Sequence, residues 1–349
     1  MLARLALAAG VGAGVALGAA AAAGGSGGGR GKDQCAAQLQ QLCGSAHGDP
    51  FACAECAGTH AAGLRAAGCS NDAIAAWCAG VPAPTGLGPG PREWQTDRPE
   101  NHGLDSAKLK AAAELTAKVA PERYCLLVVK DGVLIHESYF GGNTSDSLYE
   151  TDSLGKTVTA AMFGSVVQDG LIDIDSPIVD YGVQPTTNFE PGHSWGSFFP
   201  HVTTKSLLAQ ASGYGVVEPG TEFTYDSDEY IQHLSYTLSK VVKNGTALSY
   251  AQRWAKQMGM EGYFDYDQVG EDQGGPTQFA AAGGQMVTCR EMARVGQLMV
   301  NKGKWLDEND KPVQLAAEKH IDAMMKPAYP GVIDGYGLLT WLNTCVPAL

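Results

Sequence analysis

Ser153 and Lys156 stand in a Ser-x-x-Lys arrangement within residues 150–170, ETDSLGKTVTAAMFGSVVQDG. Residues three apart on a helix share one face. A helix beginning near Ser153 places its hydroxyl among free backbone N–H groups at the positive end of the helix dipole, where developing negative charge is favoured. Lys156 then points the same way, and an ammonium in a desolvated pocket gives up its proton more readily, so that the amine can serve as a base at neutral pH. A hydroxyl beside such a base is an activated nucleophile. Ser153 is therefore a candidate nucleophile and Lys156 a candidate base. The same run also ends like a phosphate-binding loop, Leu154-Gly155-Lys156-Thr157, but that loop needs a glycine where Glu150 stands, and a carboxylate there repels phosphate. Beyond Lys156, the residues Val158, Ala161, Met162 and Ser165 make a small-residue face suited to burial, and Gly170 ends the helix.

The elements that must position this pair sit in a chain of 349 residues, long enough for one large domain and a small one. A net charge of −13 argues against nucleic-acid partners. Residues 1–23 carry one early charge, Arg4, and then an Ala/Leu/Val/Gly run ending in small residues, the pattern of a cleaved secretory signal peptide. No later segment is apolar enough to span a bilayer, so no stable membrane span is expected after cleavage. The expected location is secreted or extracytoplasmic.

Nine cysteines in such a chain point to disulfides. Six of them, Cys35, Cys43, Cys53, Cys56, Cys69 and Cys78, fall in one short module at residues 35–80 that is too small for a large core and needs them as staples. The sequence does not choose their pairing. Cys53 and Cys56 have the spacing of a zinc or redox pair, but secretion and the even count favour structural disulfides. Cys125, Cys289 and Cys345 are scattered. A Gly-rich linker at 24–34 precedes the module, and a Pro/Gly linker at 81–92 follows it. The module is open to a surface or protein partner.

In the remaining domain, residues 93–349, a helix is expected from about Ser106 to Val119. Two β-rich runs follow, 124–129 and 133–140, around Asp131-Gly132, the signature of a two-residue hairpin. A hairpin ahead of the Ser153 helix sets that helix against an antiparallel sheet. Further helices are expected over 206–212, 228–243, 250–258 with Ser249 as cap, and 289–301, and a strand is expected to start within 334–343. No Gly-x-Ser-x-Gly elbow occurs, which argues against an α/β-hydrolase. No His-Glu-x-x-His or paired Cys-x-x-Cys motif occurs, so neither metal nor cofactor is implied. His193 and His201 lie in a Gly-rich aromatic stretch that reads as surface loop.

Taken in order, several of these pieces resemble the serine β-lactamase and penicillin-binding-protein superfamily, in its class C-like, β-lactamase-related esterase/amidase branch. They are the approach loop 99–105, the Asp-Gly hairpin, Ser153-Leu-Gly-Lys156, Leu207-Leu-Ala-Gln-Ala-Ser-Gly213, Pro219-Gly-Thr-Glu-Phe-Thr-Tyr225, the Gly283-Gly284 passage into a helix, and Tyr336-Gly-Leu-Leu-Thr-Trp-Leu342. The likeness covers about residues 93–343. It implies an α+β fold, an antiparallel sheet flanked by helices plus a helical subdomain. It also implies that Ser153 is acylated by a small-molecule ester or amide. Lys156 takes the Ser153 proton or keeps Tyr225 anionic, and Tyr225 acts as general base and then as acid. The Ser153 N–H is an oxyanion donor, while Ser227, Gly283 and Gly284 contact substrate. Two departures stand out. The family's Tyr-x-Asn is here Tyr225-Asp226-Ser227, and its Lys/His-Thr-Gly strand has no counterpart before Leu349. The expectation is a C-terminally truncated or degenerate member, so the alternative to a serine hydrolase is an impaired member that binds a ligand or surface.

Overall fold

A computed structural model describes residues 28–46, 49–78, 86–185, 194–225, 230–260 and 277–342. The expected signal peptide, His193, Ser227 and Cys345 lie outside the described residues. Among those described, no helix is long and apolar enough to cross a membrane.

The cysteine-rich unit consists of helices α1 (Gly28–Cys43), α2 (Pro50–Thr59), α3 (Ala61–Ala66) and α4 (Asn71–Cys78). Asp49 caps α2 by accepting from the Phe51 and Ala52 N–H groups, and Pro50 supplies its first residue. Leu39, Ala57, Leu64 and Ala67 form a small core. Around it Cys35 bonds Cys69, Cys43 bonds Cys56, and Cys53 bonds Cys78. Helix α1 begins at Gly28, inside the run expected to be a linker. Once the segment at Cys35 is fixed, each added helical residue brings a hydrogen bond without a new nucleus.

The second linker also differs from expectation. Its described part, residues 86–92, is docked rather than free. The Gly86 and Leu87 carbonyls accept from Gln297 and Asn301, and those of Gly90 and Arg92 accept from the buried Arg294. Backbone carbonyls without a ladder must find donors when packed, and one helix, Cys289–Val300, and its C-cap residue Asn301 supply them.

Strands β1 (Cys125–Lys130) and β2 (Val133–Tyr139) form the expected hairpin. Asp131 and Gly132 turn it with φ of 54° and 75°, the double positive φ of a type I′ turn. Helix α5 (Ser106–Val119) is capped by Asp105 and packs beside β2. The class is α+β, with antiparallel pairing among the described residues spread over three two-stranded ladders. The second joins β3 (Tyr149–Glu150) to β4 (Met286–Val287), and the third joins β5 (Lys304–Leu306) to β6 (Pro312–Gln314).

At the centre runs α6 (Gly155–Gln168), with Val158, Ala160, Ala161, Met162, Phe163 and Val166 all fully buried. A helix apolar on every side belongs inside a core. It ends in a Schellman motif: the Gly170 N–H donates to Val167 O and the Leu171 N–H to Val166 O, with Gly170 at φ 67°. Around it lie α7 (Thr204–Leu208), α8 (His233–Val241), α9 (Ala247–Met258), α10 (Cys289–Val300) and α11 (Glu318–Met324). Helix α9 starts earlier than expected. Thr246 is its cap, and Ser249 is the reciprocal partner in a capping box. A further disulfide, Cys125–Cys289, ties β1 to the start of α10. Glu137 and Arg290 add a bidentate ion pair between β2 and α10. That pairing holds the Glu137 carboxyl below its usual range.

The strand expected in 334–343 is instead a tight reversal. Tyr336 bridges Trp341, and the Gly337 N–H donates to Thr340 O. Leu339 takes a φ of 46°. Its N–H donates to Leu208 O, and its carbonyl accepts from the Thr157 hydroxyl. With both groups taken by helices, no ladder can form there.

Candidate active site

Ser153 sits on a 3-10 turn, residues 152–154, that leads directly into α6, and its side chain is exposed. Among the described residues its N–H has no backbone acceptor. Lys156, one turn on, is 1% exposed. Its Nζ donates to Ser153 Oγ at 3.1 Å and to the Ala282 carbonyl at 2.9 Å. A neutral amine could keep the second bond with one hydrogen and use its lone pair to accept from the Ser153 hydroxyl. The pair thus has the geometry of a nucleophile and its base, at the end of a helix whose dipole favours negative charge.

The turn is held by the strand facing it. The Thr151 N–H donates to Gln285 O at 2.8 Å, the Thr151 hydroxyl donates to Gln285 Oε1, and the Gln285 N–H donates back to Thr151 Oγ1. Both residues are buried, and the Gln285 amide also donates to Ala280 O. Asp152, between Thr151 and Ser153, takes a φ of 44°. Farther along, the Thr159 hydroxyl donates to Ala281 O. Residues 280–287 therefore line the start of α6 for two turns.

That approach explains the glycines. Gly283, at φ 144°, lies so close that a Cβ would collide with the Asp152 carbonyl. A Cβ on Gly155 would stand 2.7 Å from both Gly283 Cα and Thr151 Oγ1. Gly283 thus packs against the turn carrying Ser153, and Gly284 follows at φ 87°.

Tyr225 is brought to the same place. Its ring centroid lies 5.1 Å from Lys156 Nζ, and the side chain is 39% exposed. Trp341 stacks on it at 5.6 Å, and the buried Tyr336 meets it edge-on at 6.3 Å. Phe223 packs against Tyr336 and Trp341 in turn. Ser153, Lys156, Tyr225 and Gly283 are therefore gathered at one site. His201 is exposed and pairs with Glu218 on the surface.

Sequence reasoning did not find Thr151, Gln285, Tyr336 or Trp341 as parts of this site. The one signal for Gln285 is a polar residue set between Gly283-Gly284 and Met286-Val287, and Tyr336 and Trp341 lie in the run expected to be a strand.

A family model described as Beta-lactamase matches residues 117–344. Solved structures were found that are similar to this chain, and the first of them shows the same fold. A protein classed as a beta-lactamase from Bacteroides dorei DSM 17855 superposes with a TM-score of 0.50 at 17% identity, over 68% of this chain and 79% of that one. A penicillin binding protein from Bacillus halodurans gives 0.41 at 16% identity, over 62% and 79%. A beta-lactamase/D-alanine carboxypeptidase from Yersinia pestis gives 0.41 at 17%, over 58% and 71%. A comparison with curated proteins gives no match.

Proposed function

This chain belongs to the Beta-lactamase family, and from that premise we propose that it is a serine hydrolase cleaving an ester or amide through an acyl-enzyme on Ser153. The observation that carries the reading is the buried Lys156 amine 3.1 Å from an exposed Ser153 hydroxyl at the head of a buried helix.

In this mechanism the Ser153 oxygen attacks the substrate carbonyl as its proton passes to Lys156 or to Tyr225. The oxyanion is stabilised by the Ser153 N–H and the dipole of α6. Collapse breaks the bond to the leaving alcohol or amine, which takes up that same proton by way of Tyr225. Water then attacks the acyl carbon, gives a proton back to Ser153, and releases the carboxylic acid. Whichever group takes the proton, the two stand together, Lys156 Nζ lying 5.1 Å from the centroid of the Tyr225 ring. Gly283 and Gly284 border the substrate, and the family resemblance alone makes Ser227 a further substrate contact. The four disulfides support a secreted or extracytoplasmic location. The chain then reads as a cysteine-rich module at 35–80 joined to the hydrolase domain from residue 93.

Intact-mass measurement after exposure to an activated ester and to a penicillin tests the reading. An acyl adduct is expected on the wild-type chain and none on Ser153→Ala. A folded wild-type chain that takes no adduct from either would sink it.

A further inference from the structure

Gln210 adopts a φ of 53°, a conformation that glycine takes without strain and glutamine rarely does. What a glutamine adds there is a side chain, and the side chain is used. Gln210 is buried, and its Nε2 donates to the Tyr336 hydroxyl at 2.6 Å. Tyr336 is itself 1% exposed, and burial pushes its phenol up, so it stays neutral. Its ring lies edge-on to Tyr225 and, at 4.8 Å, to the Trp341 that stacks on Tyr225. Gln210 also acts through its backbone. Its carbonyl accepts from the N–H of Thr224, the residue before Tyr225, at 3.0 Å, while the neighbouring Ala211 carbonyl accepts from Gly220. The segment leading to Tyr225 is thus tied at both ends to residues 210–211, and the ring behind Tyr225 is tied to the Gln210 side chain.

We propose that Gln210 is a positioning residue for Tyr225, fixing the phenol beside Lys156 and Ser153 through the Tyr336 ring and the Thr224 N–H. The proposal rests on the acyl-enzyme reading above. Its consequence is chemical. If Tyr225 protonates the leaving group, loosening it harms substrates whose leaving group needs that proton and spares those whose leaving group departs as an anion. A residue that merely supports folding would lower both alike.

The test compares kcat/KM for ethyl acetate and p-nitrophenyl acetate, which share an acyl group, in wild type, Gln210→Leu, Tyr336→Phe, Tyr225→Phe and Tyr225→Phe combined with each of the other two. Tyr336→Phe removes the hydroxyl that Gln210 holds and leaves the strained backbone untouched. Gln210→Leu and Tyr336→Phe should each lose about tenfold or more on ethyl acetate and less than about threefold on p-nitrophenyl acetate. Neither should cost anything further once Tyr225 is Phe. Parallel losses on both esters, or full losses in the Tyr225→Phe background, overturn the proposal. A turnover-independent reading comes from NMR of ring-13C tyrosine, with Tyr225 assigned by its absence in Tyr225→Phe. Its resonance should move in Tyr336→Phe, and an unmoved resonance overturns the proposal. Acetylation of Ser153, followed by intact mass, separates the premises. No adduct with a moved resonance means that the hydrolase reading has failed and the positioning stands.

Discussion

Gly155 occupies an ordinary helical position, with φ of −56°, so backbone preference alone favours alanine there by about 1 kcal/mol. The surroundings reverse the sign. An added methyl would press on the Thr151 hydroxyl, the Gly283 backbone and the Gln285 amide at once, and the two side chains are bonded to each other and cannot both give way. Overpacking of this kind costs about 1–3 kcal/mol, and here the displaced atoms carry Ser153. Gly155→Ala should lower the urea midpoint and slow acylation of Ser153, whereas Gly182→Ala, at a left-handed but open position, should lower only the midpoint. Unchanged acylation in Gly155→Ala would separate the glycine from the site. His320 braces the same helix from its other side, its Nε2–H donating to Ala160 O while Nδ1 lacks a partner among the described residues. Burial lowers its pKa from 6.5 to about 4. The unfolded chain therefore binds the proton first as pH falls. The His320 contribution is complete above about pH 6.5, is lost progressively toward pH 4, and changes little below that. At about 1.4 kcal/mol per pKa unit, the loss approaches about 3 kcal/mol. Urea midpoints at about pH 7 and about pH 4.5 should fall less for His320→Gln than for wild type. Equal falls would mean that other groups set the acid limb.

Elements place these residues, and the Cys125–Cys289 disulfide shows how. Cys289 starts α10 two residues after β4, and β4 pairs with β3, which ends three residues before Ser153. The bond therefore closes a loop with a sequence separation of 164 around the strand pair behind Ser153. A loop so long stabilises by about 5 kcal/mol in the chain-entropy model, with measured values of about 2–5. The Cys125→Ser/Cys289→Ser chain should lose a comparable amount in urea unfolding and should acylate Ser153 more slowly even where it is folded. Stability reduced by less than about 1 kcal/mol would show that the ladder and the Glu137–Arg290 pair suffice. This tie also marks the limit of what the sequence discloses. Local signals were legible: the Asp131-Gly132 turn, the Asp105-capped helix α5, the Ser153–Lys156 spacing and the terminal Gly170 follow from propensities acting over a few residues. The Cys125–Cys289 pairing, the Thr151–Gln285 bonds and the Gln210–Tyr336 contact join residues more than a hundred positions apart. Nothing in the local sequence fixes them. The reversal at Leu339 was unreadable for the same reason, since the helices that occupy its backbone groups are distant in the chain.

At the scale of the whole molecule, the described residues hold a large core, a small one in the cysteine-rich unit, and a minor cluster around Cys125, Tyr149 and Cys289. The large one is built on α6 and draws buried residues from every later helix, whereas the cysteine-rich unit buries little beyond Leu39, Ala57, Leu64, Ala67 and its own cystines. So small a core scarcely offsets the conformational entropy of its backbone, and the cross-links make up the difference. The large core contains no cystine among the described residues, and the Cys125–Cys289 disulfide beside it is buried at both ends. Mild reduction should therefore unfold the first unit and spare the second. Arg65 reports on this, as the sole Lys or Arg between Cys35 and Cys78 and an exposed residue of α3. A protease needs several residues of extended backbone around the cut, which a helix held by Cys35–Cys69 denies it. Trypsin should leave Arg65 intact in the oxidised chain and cut it at least about tenfold faster after mild reduction, with cleavage inside residues 106–325 unchanged. Simultaneous loss of both parts would mean that the small unit is an integral support of the hydrolase domain, and acylation of Ser153 would then fall with it. Cleavage confined to Arg65, with acylation intact, would make the unit a separate module, whose three cross-links do for a short helical segment what the apolar interior does for the rest.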